Sequence, residues 1–459
     1  MILSLIKILQ ELLNPFSQEY PESLMSSLSY GHAMLIRFNK KGDHLAAGLF
    51  DGVVIIWDLL TNGVSRVLKG HTRPIQSVCW SIEGRYLLSA ARDWRCVLWD
   101  LKDGSRIKTI RFNAPIWGAE LHPFNREIFV ASLLEDVPIL TDISRGDIQK
   151  HVLPTVPKRP LKEGAEEGEI DEKLASQDTK QFTLVCTFNS TGNYIYSGTT
   201  KGWLNIISST SFEIVYSCRL TNSNIKQIRL SPTGKTLVIN STDRIIRTLS
   251  VVDDPENLND SLIEVEHKFQ DVINRFQWNA CAFNCSGEYV MASTYQSAHV
   301  IYIWDRNTGS LVKILEGPKE EFIDIDWHPV YPLIAAAGLE TGTIYIWSVP
   351  QTEGWSAFAP DFTELEENVL YEEREDEFDI VPEESKKNII NNKDDDDVDI
   401  TTIDNVQSTI GSTHIEGFLL PVLFDSDYTS SSETDNQKKN KNLKKLENSK
   451  NNPKRKRNN

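Results

Sequence analysis

The chain repeats itself at an interval of about 42 residues, and few folds can absorb such a repeat. An apolar run closing on Trp-Asp or a relic of it occurs at Ile55-Ile-Trp57-Asp58, Val97-Leu-Trp99-Asp100, Tyr302-Ile-Trp304-Asp305 and Tyr345-Ile-Trp347-Ser348. Trp57 to Trp99 is a step of 42 residues, and Trp304 to Trp347 a step of 43. Upstream of most runs a glycine turn leads into another short strand: Gly42-Asp-His-Leu45, Gly84-Arg-Tyr-Leu87, Gly192-Asn-Tyr-Ile195, Gly234-Lys-Thr-Leu237 and Gly287-Glu-Tyr-Val290. Each unit holds four short strands, too little to bury a face alone. Neighbouring units must therefore stack.

Seven units begin near Ala33, Ile75, Ile116, Phe182, Ile225, Asn279 and Phe322. The expected fold is all-β: a seven-bladed WD40 β-propeller with a largely extended or disordered acidic C-terminal tail. Units three to five have lost the tryptophan, and Pro138-Ile-Leu-Thr-Asp142, Leu204-Asn-Ile-Ile207 and Arg244-Ile-Ile-Arg247 stand in the third-strand place. The last unit lacks an outer strand, which residues 16–28 are expected to supply. This divides the chain into a leader and closing strand (1–30), a propeller (31–349) with a charged surface insertion at 158–181, a partner-binding acidic tail (350–405), and a disordered tail with a basic end (406–459). The apolar leader 1–16 is interrupted by Lys7 and Glu11 and reads as a short packing helix rather than a signal peptide.

Charge is uneven. Of the net −17, residues 351–400 contribute 18 acidic against 4 basic side chains, or −14. Residues 436–459 reverse this, with 10 Lys and Arg against one Glu. Such asymmetry points to tails that meet charged partners. Trp355, Phe358 and Phe362 at the head of the acidic stretch have no core period and mark a contact. A second apolar island, Phe418-Leu-Leu-Pro-Val-Leu-Phe424, reads as another docking segment. Lys454, Arg455, Lys456 and Arg457 have the composition of a nuclear import signal, so the expected compartment is the nucleus.

Catalytic chemistry is not legible. The six cysteines fall mostly in apolar runs, without Cys-x-x-Cys or a metal-spaced companion for Cys281 and Cys285, and read as reduced buried thiols. His71, Ser89, Asp93 and Trp99 invite a hydrolase reading, but there is no nucleophile elbow; they fit a hydrogen-bonded structural tetrad. His122-Pro and His328-Pro recur at matching turns and read as turn residues. Asp324 and Asp326 read as one polar face of a strand; Arg244, Arg247 and Arg275 are candidates for a face that touches nucleic acid but, without a clear basic stripe, read as surface charge. No phosphate loop, dinucleotide fingerprint or metal-ligand set occurs. The expectation is a binding scaffold and not an enzyme, with no cofactor, no metal, no small-molecule substrate and no membrane partner.

The string Trp355-Ser-Ala-Phe-Ala-Pro-Asp-Phe362, Glu366-Glu-Asn-Val369, Tyr371-Glu-Glu-Arg-Glu375 and Glu377-Phe-Asp-Ile380 resembles the retinoblastoma-binding protein five family, the WD-repeat core subunit of COMPASS/MLL-type histone H3 lysine-4 methyltransferase complexes. Asp243-Arg-Ile-Ile-Arg247, Gly309-Ser-Leu-Val-Lys-Ile-Leu315, Trp327-His-Pro329 and Phe16-Ser-Gln-Glu-Tyr-Pro-Glu22 extend the likeness over roughly residues 14–405. The resemblance implies a non-catalytic scaffold that stimulates methylation. Trp355, Ser356, Ala357, Phe358, Pro360 and Phe362 would lie against the SET-domain catalytic subunit. Glu366, Glu367, Tyr371, Glu372, Glu373, Arg374, Glu375, Glu377, Phe378 and Asp379 would dock on a SPRY-domain subunit. Val398, Asp399, Ile400 and Thr401 would bind a WD-repeat adaptor, and the nucleosome would be met through the complex. The leader 1–13, the insertion and the Asn/Lys-rich end depart from the family pattern. The competing class is a generic WD40 adaptor, such as a ubiquitin-ligase substrate receptor or an RNA-processing scaffold, which leaves the aromatic and acidic tail unexplained.

Overall fold

A computed structural model of the chain describes residues 19–144, 148–157, 180–251, 263–271, 273–295, 300–349 and 420. Its strands form seven four-stranded antiparallel sheets. Six are contiguous in sequence, at 33–69, 75–111, 116–152, 183–219, 225–269 and 278–316. The seventh takes three strands from 322–348 and the fourth, Ser23–Leu28, from the other end of the domain. The first strand of each sheet touches the first strand of the next, and Phe322–Trp327 returns to Ala33–Phe38, so the blades close a ring.

Position within a blade explains the composition of its strands. Second strands such as His44–Leu49 and Tyr86–Ala91, and the third strand Trp203–Ser208, are buried at every position. They lie between two neighbouring blades, so they read as continuous apolar and small residues rather than as an alternation. Outer strands such as Ser105–Arg111 face solvent and carry Arg106, Lys108 and Arg111, the charged dressing that keeps a sheet edge from pairing further. In all seven blades the ladder between first and second strands shifts near the start of the first, as between Ala33 and Leu35 or Ile75 and Ser77. A bulge there bends each inner strand where it enters the crowded ring.

The core is a set of inter-blade clusters. Leu35, Val54, Leu68, Trp80 and Trp99 join the first two blades, and Trp278 and Trp304 belong to the cluster between the fifth and sixth. Each such side chain is worth about 1.5–3 kcal/mol over its exposed state. At the closure, Ser23–Leu28 runs antiparallel to Ile344–Ser348 in register from Ser23↔Ser348 to Leu28↔Ile344, and Leu28 is buried beside Ala335, Ala337 and Ile346. The Ala33 amide donates to the Gly342 carbonyl at 3.0 Å, tying the first blade to the same corner.

Three expectations need correction. In the fifth blade the third strand is Ile246–Val251, so Arg244 precedes it in a left-handed turn at φ +70°, matching Trp94 at +66° in the second blade. Gln181, assigned to the insertion, is buried, with its side-chain amide donating to the Thr155 carbonyl at 3.5 Å. Arg247 is buried and ion-paired rather than a surface charge. All six cysteines are free; burial pushes the Cys79 thiol up to about 11 and the Cys281 thiol to about 12. No helix among the described residues is long and apolar enough to cross a membrane.

Candidate functional site

The second blade brings His71, Ser89, Asp93 and Trp99 together. His71 Nδ1 donates to Asp93 at 3.0 Å, the Ser89 hydroxyl bonds His71 Nε2 at 2.7 Å, and Trp99 Nε1 donates to Ser89 Oγ at 2.8 Å. Burial alone would raise the Asp93 carboxyl, but the His71 ring and the Thr72 and Arg95 amides hold it below the usual carboxylate range. The serine has no open face: its hydroxyl is fully buried and already shared by the ring, the indole and the Val97 carbonyl. The quartet satisfies buried polar atoms and offers nothing to a substrate.

The fifth blade performs the same task with other residues. Asp243 keeps the place of Asp93, Thr221 stands in that of His71, and Arg247 reaches in from the third strand to pair with Asp243 at 2.5 Å. Arg247 Nη1 also donates to Ser241 Oγ at 2.9 Å. A network that has lost His, Ser and Trp is rebuilt around one guanidinium.

The seam between the seventh and first blades carries a cluster of buried charge. Asp324 and Asp326 lie on the innermost strand of the seventh blade. Asp324 Oδ2 accepts from the Ile36 amide at 3.1 Å and from Arg37 at 2.5 Å, while Asp326 Oδ2 accepts from the Phe38 amide at 2.9 Å. The polar face of this strand thus grips the backbone of the neighbouring blade. Burial would lower the Arg37 pKa, but the facing carboxylates keep it above the usual range. Burial raises the Asp326 carboxyl, against the opposing pull of Arg37 and Arg229.

His328 reinforces the seam. Its Nδ1 accepts from the Val330 and Tyr331 amides at 3.1 and 2.8 Å, which shapes the His-Pro turn, and its Nε2 donates to the Gly42 carbonyl of the first blade at 3.0 Å. His122 repeats the arrangement in the third blade. Its Nδ1 accepts from the Phe124 and Asn125 amides, and its other nitrogen bonds the Gly192 carbonyl of the fourth blade. Desolvation lowers both histidine pKa values, so the rings are neutral at pH 7, as an accepting Nδ1 requires. The two latched junctions are those where the chain does not pass directly from one blade to the next: the ring closure, and the boundary interrupted by 158–181.

Sequence reasoning missed a groove on the propeller surface lined by Phe50, Arg73, Arg92, Trp94, Trp117 and Leu134. Its three aromatics are all exposed. A tryptophan in a left-handed turn, where the core has no use for it, was the available signal. Among the described residues no group of His, Cys, Asp and Glu could hold a metal. The tail positions Trp355 to Asp379, Val398 to Thr401 and Lys454 to Arg457 lie outside the described residues.

The family model for the WD domain, G-beta repeat, matches residues 63–100 and 309–348. The chain is 54% identical over 381 residues to Set1 complex component swd1 of Schizosaccharomyces pombe, covering 82% of this chain and 91% of that protein. The chain belongs to the Swd1/retinoblastoma-binding protein 5 family. Among other members, it is 37% identical to COMPASS component SWD1 of Saccharomyces cerevisiae, over 91% of this chain and 97% of the relative. It is 35% identical to the retinoblastoma-binding protein 5 homolog of Drosophila melanogaster, over 82% and 72% respectively. The fold is similar to the crystal structure of the Cps50 (Swd1) β-propeller domain of Myceliophteria thermophila, with a TM-score of 0.66 and 47% identity, over 71% of this chain and all of that one. Members of the Swd1 family are WD40 propeller subunits of complexes and not catalysts, and this chain is not an enzyme.

Proposed function

We propose that this chain is the non-catalytic scaffold and activating subunit of a nuclear histone H3 lysine-4 methyltransferase complex of the COMPASS type. The observation that carries the reading is its 54% identity across 91% of a Set1 complex component. The propeller holds the tail, and the tail makes the contacts. Trp355, Phe358 and Phe362 supply an apolar anchor for the SET domain, and the carboxylates from Glu366 to Asp379 suit a basic groove on a SPRY-domain subunit. Val398 and Ile400 offer β-branched side chains to a cleft of a WD-repeat adaptor, with Asp399 fixing register. A peptide bridging two subunits raises catalytic output by favouring the productive conformation of the enzyme, with no residue of its own in the chemistry. The test is a reconstituted complex carrying Phe358→Ala and Phe362→Ala. Methyl transfer to histone H3 should fall while the propeller melts at its usual temperature; full activity refutes the assignment. Reversing Glu372, Glu373 and Glu375 to Lys should release the SPRY subunit at moderate salt.

A further inference from the structure

Leu420 stands 70 residues beyond Pro350, yet it is 6% exposed. It belongs to the buried cluster between the first and second blades, with Leu35, Val54, Leu68, Trp80 and Leu101. A second contact marks the same place: the Leu420 carbonyl faces the buried His44 ring, where it favours the protonated imidazole against the effect of burial. His44 begins a second strand, Trp80 ends a first strand, and Leu101 directly follows a third, so the slot opens on the face that carries the Gly42 and Gly84 turns.

We propose that the apolar segment 418–424 docks into its own propeller in this slot, making the stretch that carries the partner-binding residues a loop tethered at both ends. Three observations support the segment as occupant. One of its side chains is seated in the slot. Seven consecutive apolar residues, Phe418 to Phe424, stand out in a region otherwise rich in Asp, Ser, Thr, Asn and Lys. The reach is easy, because a random coil of 70 residues has a typical end-to-end distance of about 45 Å, comparable to a domain of this size. His44 supplies directionality by facing a backbone carbonyl, and the blade interface supplies an apolar slot of Leu size. The docking does not depend on which partners the tail binds.

The consequence is conformational. A loop pinned at both ends samples fewer arrangements than a free tail, so its docking segments stay close to the propeller and to any subunit already bound there.

The experiment uses the full chain with a specific protease site inserted at residue 408. After cleavage at micromolar concentration, the C-terminal fragment should co-elute with the propeller in gel filtration. Leu420→Asp should release it, weakening the association on the order of 10- to 150-fold, while Leu420→Met should retain it. A synthetic peptide of residues 414–426 in excess should displace the wild-type fragment. Separation of the wild-type fragment after cleavage overturns the proposal, as does co-elution of the Leu420→Asp fragment. The melting temperature of the propeller, read on the same samples, verifies that it is folded in each variant.

Discussion

A Cβ placed on Gly42 would lie 2.2 Å from His328 Nε2, so the latch between the seventh and first blades can be tested from both sides. His328→Ala removes the donor to the Gly42 carbonyl and the acceptor of two turn amides. Unpaired buried groups cost about 1–3 kcal/mol each, and the two turn amides can recover water, so the loss should be roughly 2–4 kcal/mol. Gly42→Ala carries two penalties. The backbone at φ +89° costs a non-glycine residue about 1–2 kcal/mol, and the new methyl must expel the imidazole, forfeiting much of what His328→Ala forfeits. In the double variant the ring is already gone and only the backbone penalty remains. The two changes should therefore be less than additive by about 2 kcal/mol. With a urea slope of about 2 kcal/mol per molar, that coupling displaces the midpoint by about 1 M, readily seen by tryptophan fluorescence. Additivity within about 0.5 kcal/mol would refute the latch. Gly192 and His122, with a Cβ-to-ring distance of 2.1 Å, should behave alike.

Removing residues 1–29 deletes the strand paired with Ile344–Ser348 and should lower the melting temperature sharply in a thermal scan. Burial depresses the pKa of His44, His122 and His328, so the unfolded chain takes up protons first as pH falls through about 6.5. Stability present above that pH should decline below it, and His122→Asn with His328→Asn should flatten the urea midpoint measured between pH 7.5 and 5.5. Asp93→Ala strands the His71 N–H and two backbone amides and should cost about 3 kcal/mol by urea unfolding, against about 1 kcal/mol for Trp99→Phe. Cys96, Cys186 and Cys281 should resist a thiol reagent at pH 8 until the chain is unfolded, because burial raises all three thiols.

Blade number and strand order were legible because the repeat is carried by local features: Trp at the end of a run, a glycine turn before it, and small residues between. Where one side chain replaces several, that legibility fails. Arg247 reads as surface charge because Asp243, four residues upstream, sits in a polar turn, and nothing local says that Thr221 and Ser241 will meet this pair in a buried network. Asp324 and Asp326 alternate with Ile323 and Ile325, which reveals a polar face but not that its partners are the Ile36 and Phe38 amides, almost 290 positions away. His122-Pro and His328-Pro were readable as turns because that role is local; their second role, across a blade boundary, is not. The apolar run at 418–424 is visible in the sequence, but the burial of Leu420 between the first and second blades depends on the shape of a slot that exists only after folding.

The strand from which the tail departs, Ile344–Ser348, has Leu333–Gly338 on one side and Ser23–Leu28 on the other. A subunit that pulls on the chain beyond Val349 cannot peel this strand from an open edge. It must slide two hydrogen-bonded ladders at once, and force along the strand loads their bonds in parallel. Without Ser23–Leu28 the same pull would meet a single ladder and could unzip it bond by bond. The strand that completes the ring is therefore also its mechanical anchor, fitted next to the strand that ends the propeller.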